Sequence, residues 1–370
     1  MDRGVSGVAE VVLAPRSPSP LPSPGHRSME SVASPPMDLT TVADDEAVVH
    51  DGPVARVHRG LRPDTHYELD GFAFRTLPAP GERLATFATV NDVHFGEVEC
   101  GVIQGLDLGP TYRSEPGEDP YPEVMNRGAV ADIAAIDPDV VLVKGDLTNV
   151  GSQEEYEQFL DCYQGAFGDR LHHVRGNHDG YHGGTFASDA PFLVELPGVM
   201  LAVLDTTIPL HTPGRVTAEQ LEWLADVAAD SDRPVFVFGH HHVWDPTSHH
   251  RPDDYFGINP DDSERLVDVV AAHPSIVAYS AGHTHRNRVR RFPATGEVPW
   301  AEVACVKDFP GTWVEYRVFE GGVLAIHRRI SSPEALAWSD KTRDMYDGTY
   351  FDYAFGALEE RCYPIWPRSA

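Results

Sequence analysis

The sequence predicts an α/β layered fold. Three observations carry this: short apolar runs recur along most of the chain, helical patterns separate them, and between His285 and Ile330 only strand patterns continue. At 370 residues the chain can bury a sizeable core in more than one unit without disulfide staples.

Residues 1–37 are rich in Pro and Ser, lack apolar periodicity and are expected to be disordered. No basic stretch followed by an apolar run opens the chain, so a cytoplasmic protein without a secretory leader is expected. Over 38–80, the Pro63-Asp64 turn signal and the alternation of Tyr67 with Leu69 predict short strands. The stretch from Gly60 to Tyr67 resembles the last strands of a fibronectin type III module. At about forty residues the segment is too short for a whole sandwich, so a β-hairpin covering one edge of the next domain is expected.

Apolar runs at 84–90, 140–143, 171–174, 199–204, 235–238 and 276–279 predict buried strands. Helical patterns fall at 123–136, 153–167, 218–229 and 263–272, two of them opened by capping boxes, Ser152 with Glu155 and Thr217 with Gln220. Segments 288–291, 300–306, 312–319 and 323–330 predict antiparallel strands of a second sheet, which closes a main domain over 82–330. The tail 331–370 begins as a polar helix and ends in aromatics, including Tyr346, Tyr350, Tyr353, Phe355, Tyr363 and Trp366. These are expected to pack on the core or against a second copy of the chain in a homodimer.

Charge narrows the function. A formal net charge of −28 repels polyanions, which excludes non-specific nucleic-acid binding and attachment to anionic membranes. Four scattered cysteines form neither a disulfide framework nor a zinc knuckle. Nineteen histidines, several of them clustered, are the anomaly.

Five polar motifs each follow a predicted strand: Asp92-Val93-His94, Gly145-Asp146, Gly176-Asn177-His178-Asp179, Gly239-His240-His241-His242 and Gly282-His283-Thr284-His285. Taken singly, each has a bland reading: a chance pair, a helix cap, a polar turn, a surface triplet. Their common placement outweighs this, because loops at the carboxyl edge of an α/β sheet converge on one place. Residues two apart in extended chain point the same way, so Asp92 with His94 and His283 with His285 are expected to aim at common points. The preceding glycines let the backbone turn and approach closely. Asp92, His94, Asp146, Asn177, His240, His283 and His285 offer more donors than one divalent ion accepts. Two ions sharing a carboxylate fit better, and a nitrogen and oxygen set without thiolate suits manganese, iron, zinc or cobalt.

This ordered series resembles the calcineurin-like metallophosphoesterase superfamily over about 83–330. The resemblance implies a four-layer α/β/β/α sandwich of two mixed sheets. It also implies that Asp92, His94, Asp146 and His285 hold one ion while Asp146, Asn177, His240 and His283 hold the other. His178 would be the catalytic histidine, oriented by Asp179. Within the superfamily the chain looks most like bacterial phosphodiesterases of cyclic nucleotides or glycerophosphodiesters. The implied reaction is hydrolysis of a small phosphodiester by a metal-bridging hydroxide, with His178 protonating the leaving group. A phosphomonoesterase on nucleotides or sugar phosphates is the alternative within enzymes. A catalytically silent metal-binding interaction protein is the alternative of another class. Two positions depart from relatives of this kind: Asn149 stands where purple acid phosphatases place a tyrosine, and His242 follows the histidine pair where prolines are common. His241 and Asn287 are candidate substrate contacts, and the Gly- and Pro-rich insertion over 97–122 is expected to cover the site.

Overall fold

A computed structural model describes residues 37–103 and 106–368. The expectation of disorder over 1–37 therefore lies, but for Met37, outside the described residues. Two six-stranded mixed sheets face one another, with helices on both outer faces, giving the four-layer α/β/β/α sandwich. The first sheet runs Cys362–Ile365, Gly322–Arg329, Thr312–Phe319, Arg83–Val90, Val140–Lys144, Leu171–Val174. The second runs Arg288–Arg290, Trp300–Glu302, Ile276–Ala281, Val235–Phe238, Val199–Val203, Phe192–Leu196.

The innermost core lies between the sheets. Phe87 stacks on Tyr316 with centroids 4.5 Å apart, and Phe236 and Phe238 meet both rings edge-on. Outside the first sheet, helices Tyr121–Ala135 and Gln153–Phe167 bury Met125, Ile133, Phe159 and Tyr163. Buried residues Glu155, Phe159, Tyr163 and Phe167 recur every four positions, which puts one stripe of the helix on the sheet. Helices Ala218–Asp230 and Pro260–Ala272 cover the second sheet through Leu221, Leu224, Leu266 and Val270. Both capping boxes form as the sequence predicts. The last of these helices starts three residues early, because the Asn259 side chain accepts from the Asp262 amide and Pro260 suits a first turn.

The late strands divide differently from expectation. Arg288–Arg290 and Trp300–Glu302 extend the second sheet, the latter running parallel to Ile276–Ala281. Thr312–Phe319 and Gly322–Arg329 return to the first sheet beside Arg83–Val90. The strand expected over 300–306 stops at Glu302, because Asn91 and Asn287 draw the following backbone away: Asn91 Nδ2 donates to the Val303 carbonyl, and Ala304 N donates to Asn287 Oδ1. An unanticipated strand, Phe192–Leu196, forms a hairpin with Val199–Val203 around Pro197-Gly198.

The N-terminal segment covers a face of the first sheet. It holds a meander, Asp38–Val42, Glu46–Asp51 and Val54–Arg59, and a hairpin, His66–Leu69 with Phe72–Arg75. Strand alternation explains the seat: Val323 and Ala325 face the inter-sheet core, whereas Leu324 and Ile326 meet Leu39, Val42 and Phe74. Most tail aromatics pack on the core, with Tyr350, Phe355 and Tyr363 buried, while Tyr353 and Trp366 stay exposed.

Candidate metal centre

Three parallel strands of the first sheet and four of the second end at one common edge, and the polar motifs follow five of those ends. Ring nitrogens and carboxylate oxygens of Asp92, His94 and His285 lie within 4.8 Å of one another. So do those of Asp92, Asp146 and His240, and of His240, His241 and His283. Asn177 joins through its amide oxygen, 3.1 Å from His240 Nε2. All seven expected donors thus come together.

The backbone differs from the extended chain expected. Asp92, His94, Asp146, His283 and His285 all adopt the left-handed region, with φ between 48° and 68°. Outside glycine this region is sparsely populated and favours Asp, Asn and His, and such residues gather where a function requires the geometry. Neighbouring chain locks it in place: Asp92 N donates to the Gly145 carbonyl at 3.1 Å and His94 N to the Asp146 carbonyl at 3.0 Å. Gly145 itself has φ +89°, and a Cβ on Gly282 would stand 2.6 Å from Asp92 Oδ2.

Asp92, His94, Asp146, Asn177 and His240 are at most 2% exposed, while His285 keeps a quarter of its side chain in solvent. Asp146 Oδ2 lies 3.5 Å from His94 Nε2 and 3.3 Å from His240 Nε2, and Asp92 Oδ1 lies 3.4 Å from His285 Nε2. Burial alone would raise both carboxyl pKa values, but His285 and His240 hold Asp92, and His240 and His178 hold Asp146, below the carboxylate range. His283 is pushed down to about 3 by burial and by His240. A cation fits this set. Both ring nitrogens of His94 are buried with no hydrogen-bond partner, and two sequestered carboxylates face Nε2 and its imidazole neighbours. Outer bonds orient several of these side chains: His240 Nδ1 donates to the Lys144 carbonyl at 2.9 Å and His283 Nε2 to the Phe256 carbonyl at 2.8 Å. Asn177 Nδ2 donates to the Tyr181 hydroxyl at 2.7 Å, which turns its oxygen towards His240.

His178 stands beside this cluster, its ring centroid 4.5 Å from that of His94. Asp179 does not orient it. The His178 Nδ1–H donates to the main-chain carbonyl of Asn149 at 2.6 Å. Asp179 instead accepts from Leu147 N, Thr148 N, the Thr148 hydroxyl and Gly176 N, so it ties two of the site loops together. Its carboxyl is pushed up to about 6 by burial and by Asp146.

The two candidate substrate contacts are also placed differently. His241 is fully buried with both ring nitrogens engaged, Nδ1 at 2.8 Å from Thr206 Oγ1 and Nε2 at 3.0 Å from the Thr212 carbonyl. Asn287 turns into the core, accepting from Ala304 N and His327 Nδ1 and donating to the Phe355 carbonyl. Both ring nitrogens of His241, and the amide oxygen and one amide N–H of Asn287, are thus bonded inside the protein. Of the insertion, Glu97 reaches the site, with Oε2 at 3.0 Å from His94 Nδ1. Its place three residues after His94 was the available signal.

Known proteins align with this core. A protein named probable cyclic nucleotide phosphodiesterase, from Synechococcus sp., is 28% identical over 160 residues, 40% of this chain and 58% of that protein. The glycerophosphodiester phosphodiesterase of Enterobacter lignolyticus is 29% identical over 161 residues, 40% of this chain and 56% of that one. The chain thus spans little more than half the length of these relatives. A solved dimetal phosphatase from Danio rerio superposes with a TM-score of 0.49 at 16% identity, covering 66% of this chain and 96% of that one. Residues 85–287, more than half of the chain and the stretch that carries every expected donor, match the calcineurin-like phosphoesterase family, and the chain belongs to it.

Proposed function

We propose that this chain hydrolyses a small phosphodiester, a cyclic nucleotide or a glycerophosphodiester, with two divalent transition-metal ions. The observation that carries the reading is the seat of Asp146, whose Oδ2 stands between His94 Nε2 and His240 Nε2. Asp92, His94, Asp146 and His285 would hold one ion, and Asp146, Asn177, His240 and His283 the other. The nitrogen and oxygen donors suit manganese, iron or zinc. When bound, such ions neutralise phosphoryl charge and make water a nucleophile near neutral pH.

The chain's own residues do the rest. The loop tied down by Asp179 fixes Asp146 against Gly176 and His178. Because His178 Nδ1 donates to the Asn149 carbonyl, Nε2 is the nitrogen left to exchange a proton with an ester or leaving-group oxygen. The phosphodiesterase names of its relatives favour a diester over a monoester substrate. Turnover of bis-p-nitrophenyl phosphate, p-nitrophenyl phosphate, cyclic nucleotides and glycerophosphodiesters with added manganese tests this. Faster diester cleavage is expected, and faster monoester cleavage would reverse the assignment. Metal content below about one ion per chain would favour a silent binding module.

A further inference from the structure

Behind the donor set, a run of buried polar side chains joins two of its imidazoles. His94 Nδ1 is buried and lies 3.0 Å from Glu97 Oε2, an ion-pair contact off the line of a hydrogen bond. Glu97 Oε1 accepts from Lys307 Nζ at 2.7 Å and from the Tyr121 hydroxyl. Lys307 Nζ also donates to Asp308 Oδ2 at 2.9 Å, and Asp308 Oδ1 accepts from Cys305 Sγ at 2.9 Å and the Tyr350 hydroxyl at 2.7 Å. Cys305 Sγ, an Asp308 oxygen and a ring nitrogen of His285 then lie within 4.8 Å of one another. Glu97 is the most exposed of this run at 9%, and Lys307, Asp308, Cys305 and Tyr350 are at most 4% exposed.

Two carboxylates and one ammonium buried together are a poor way to stabilise a fold, since desolvation offsets much of their attraction. Their placement gives another reason. An imidazole held by an acceptor on its outer nitrogen presents a lone pair from the inner one. The inner nitrogens here are His94 Nε2, towards Asp146, and His285 Nε2, towards Asp92. His240 and His283 are backed differently, by the neutral main-chain carbonyls of Lys144 and Phe256.

We propose that Glu97, Lys307, Asp308 and Cys305 form a positioning network for one of the two ions, the one held by Asp92, His94, Asp146 and His285, by fixing the tautomer and ring direction of both its histidines. This rests on the two-ion reading above. The test is titration of the metal-stripped full chain with Mn²⁺, followed by calorimetry and elemental analysis, alongside thermal melts. In Glu97→Gln, one ion should bind about 10–100-fold more weakly while the other stays within about twofold. Glu315→Gln is the structural control, a buried carboxylate paired with Arg317 and Arg328. It should lower the melting temperature and leave both affinities intact. Should Glu97→Gln fail to fold, Tyr350→Phe removes one bond to Asp308 and should show a smaller loss at the same ion. A folded variant with both affinities unchanged overturns the network. A wild-type chain that takes up fewer than about one ion overturns the two-ion reading beneath it.

Discussion

Glu302 offers a measurement of how strongly charge holds the edge of the second sheet. It is 1% exposed, and three arginines on one strand side share it: Arg286 NH2 at 2.8 Å, Arg290 Nε at 3.5 Å, and Arg288 nearby, with His242 behind. Burial raises its pKa, yet His242, Arg286, Arg290 and Arg288 outweigh that and hold the carboxyl at about 2, against 4.5 for a free one. The difference of roughly 2.5 units, at 1.36 kcal/mol each, is about 3 kcal/mol of stability. The folded value lies below the unfolded one, so this contribution is complete above about pH 4.5 and fades as pH falls towards 2. In Glu302→Gln, urea unfolding should show a loss of about 3 kcal/mol at pH 7 that shrinks steadily between pH 4.5 and 3. A loss that is the same at every pH would refute the electrostatic account and assign the cost to packing.

Three further outcomes follow from the geometry. His178→Ala should lower metal-saturated turnover by about 10²–10⁴-fold, as expected for a lost proton donor, with metal content unchanged by elemental analysis. Asp179→Asn should behave in the opposite way: its amide would orphan buried N–H groups among Leu147, Thr148 and Gly176, each costing about 1–3 kcal/mol in a denaturation curve, while saturated turnover falls less than about tenfold. Phe87→Ala, which empties the stack on Tyr316 between the sheets, should cost about 3–5 kcal/mol by chemical denaturation.

Much of this arrangement was legible in the sequence. The apolar run Val235–Phe238 was marked to the residue, because a strand buried on both faces carries no polar interruption, and Leu171–Val174 was marked by its apolar ends although His172 and His173 interrupt it. Capping boxes fixed the start of Gln153–Phe167 and Ala218–Asp230 for the same local reason. The donors were readable because each follows such a strand. What stayed hidden depends on contacts between distant segments. The acceptor for His178 is a main-chain carbonyl, and every residue type carries one, so Asn149 gave no signal. Asp179 adjoins His178 in sequence but points away, into the amides of another loop. Asn287 follows the last donor closely, yet it lies outside any strand and turns inward to Ala304 and His327, which no periodicity marks. Lys307 and Asp308 lie where the chain leaves its ladder, and no periodicity marks their direction.

The Asp92 carboxylate has a second set of obligations. Both of its oxygens lie 3.1 Å from the amide of His283, which belongs to the opposite sheet. One side chain therefore staples the two halves of the sandwich at the rim where chemistry is expected. Any change that neutralises it unfastens a structural seam as well as removing a proposed ligand, and the exchange of the His283 amide hydrogen with solvent would report when that seam parts.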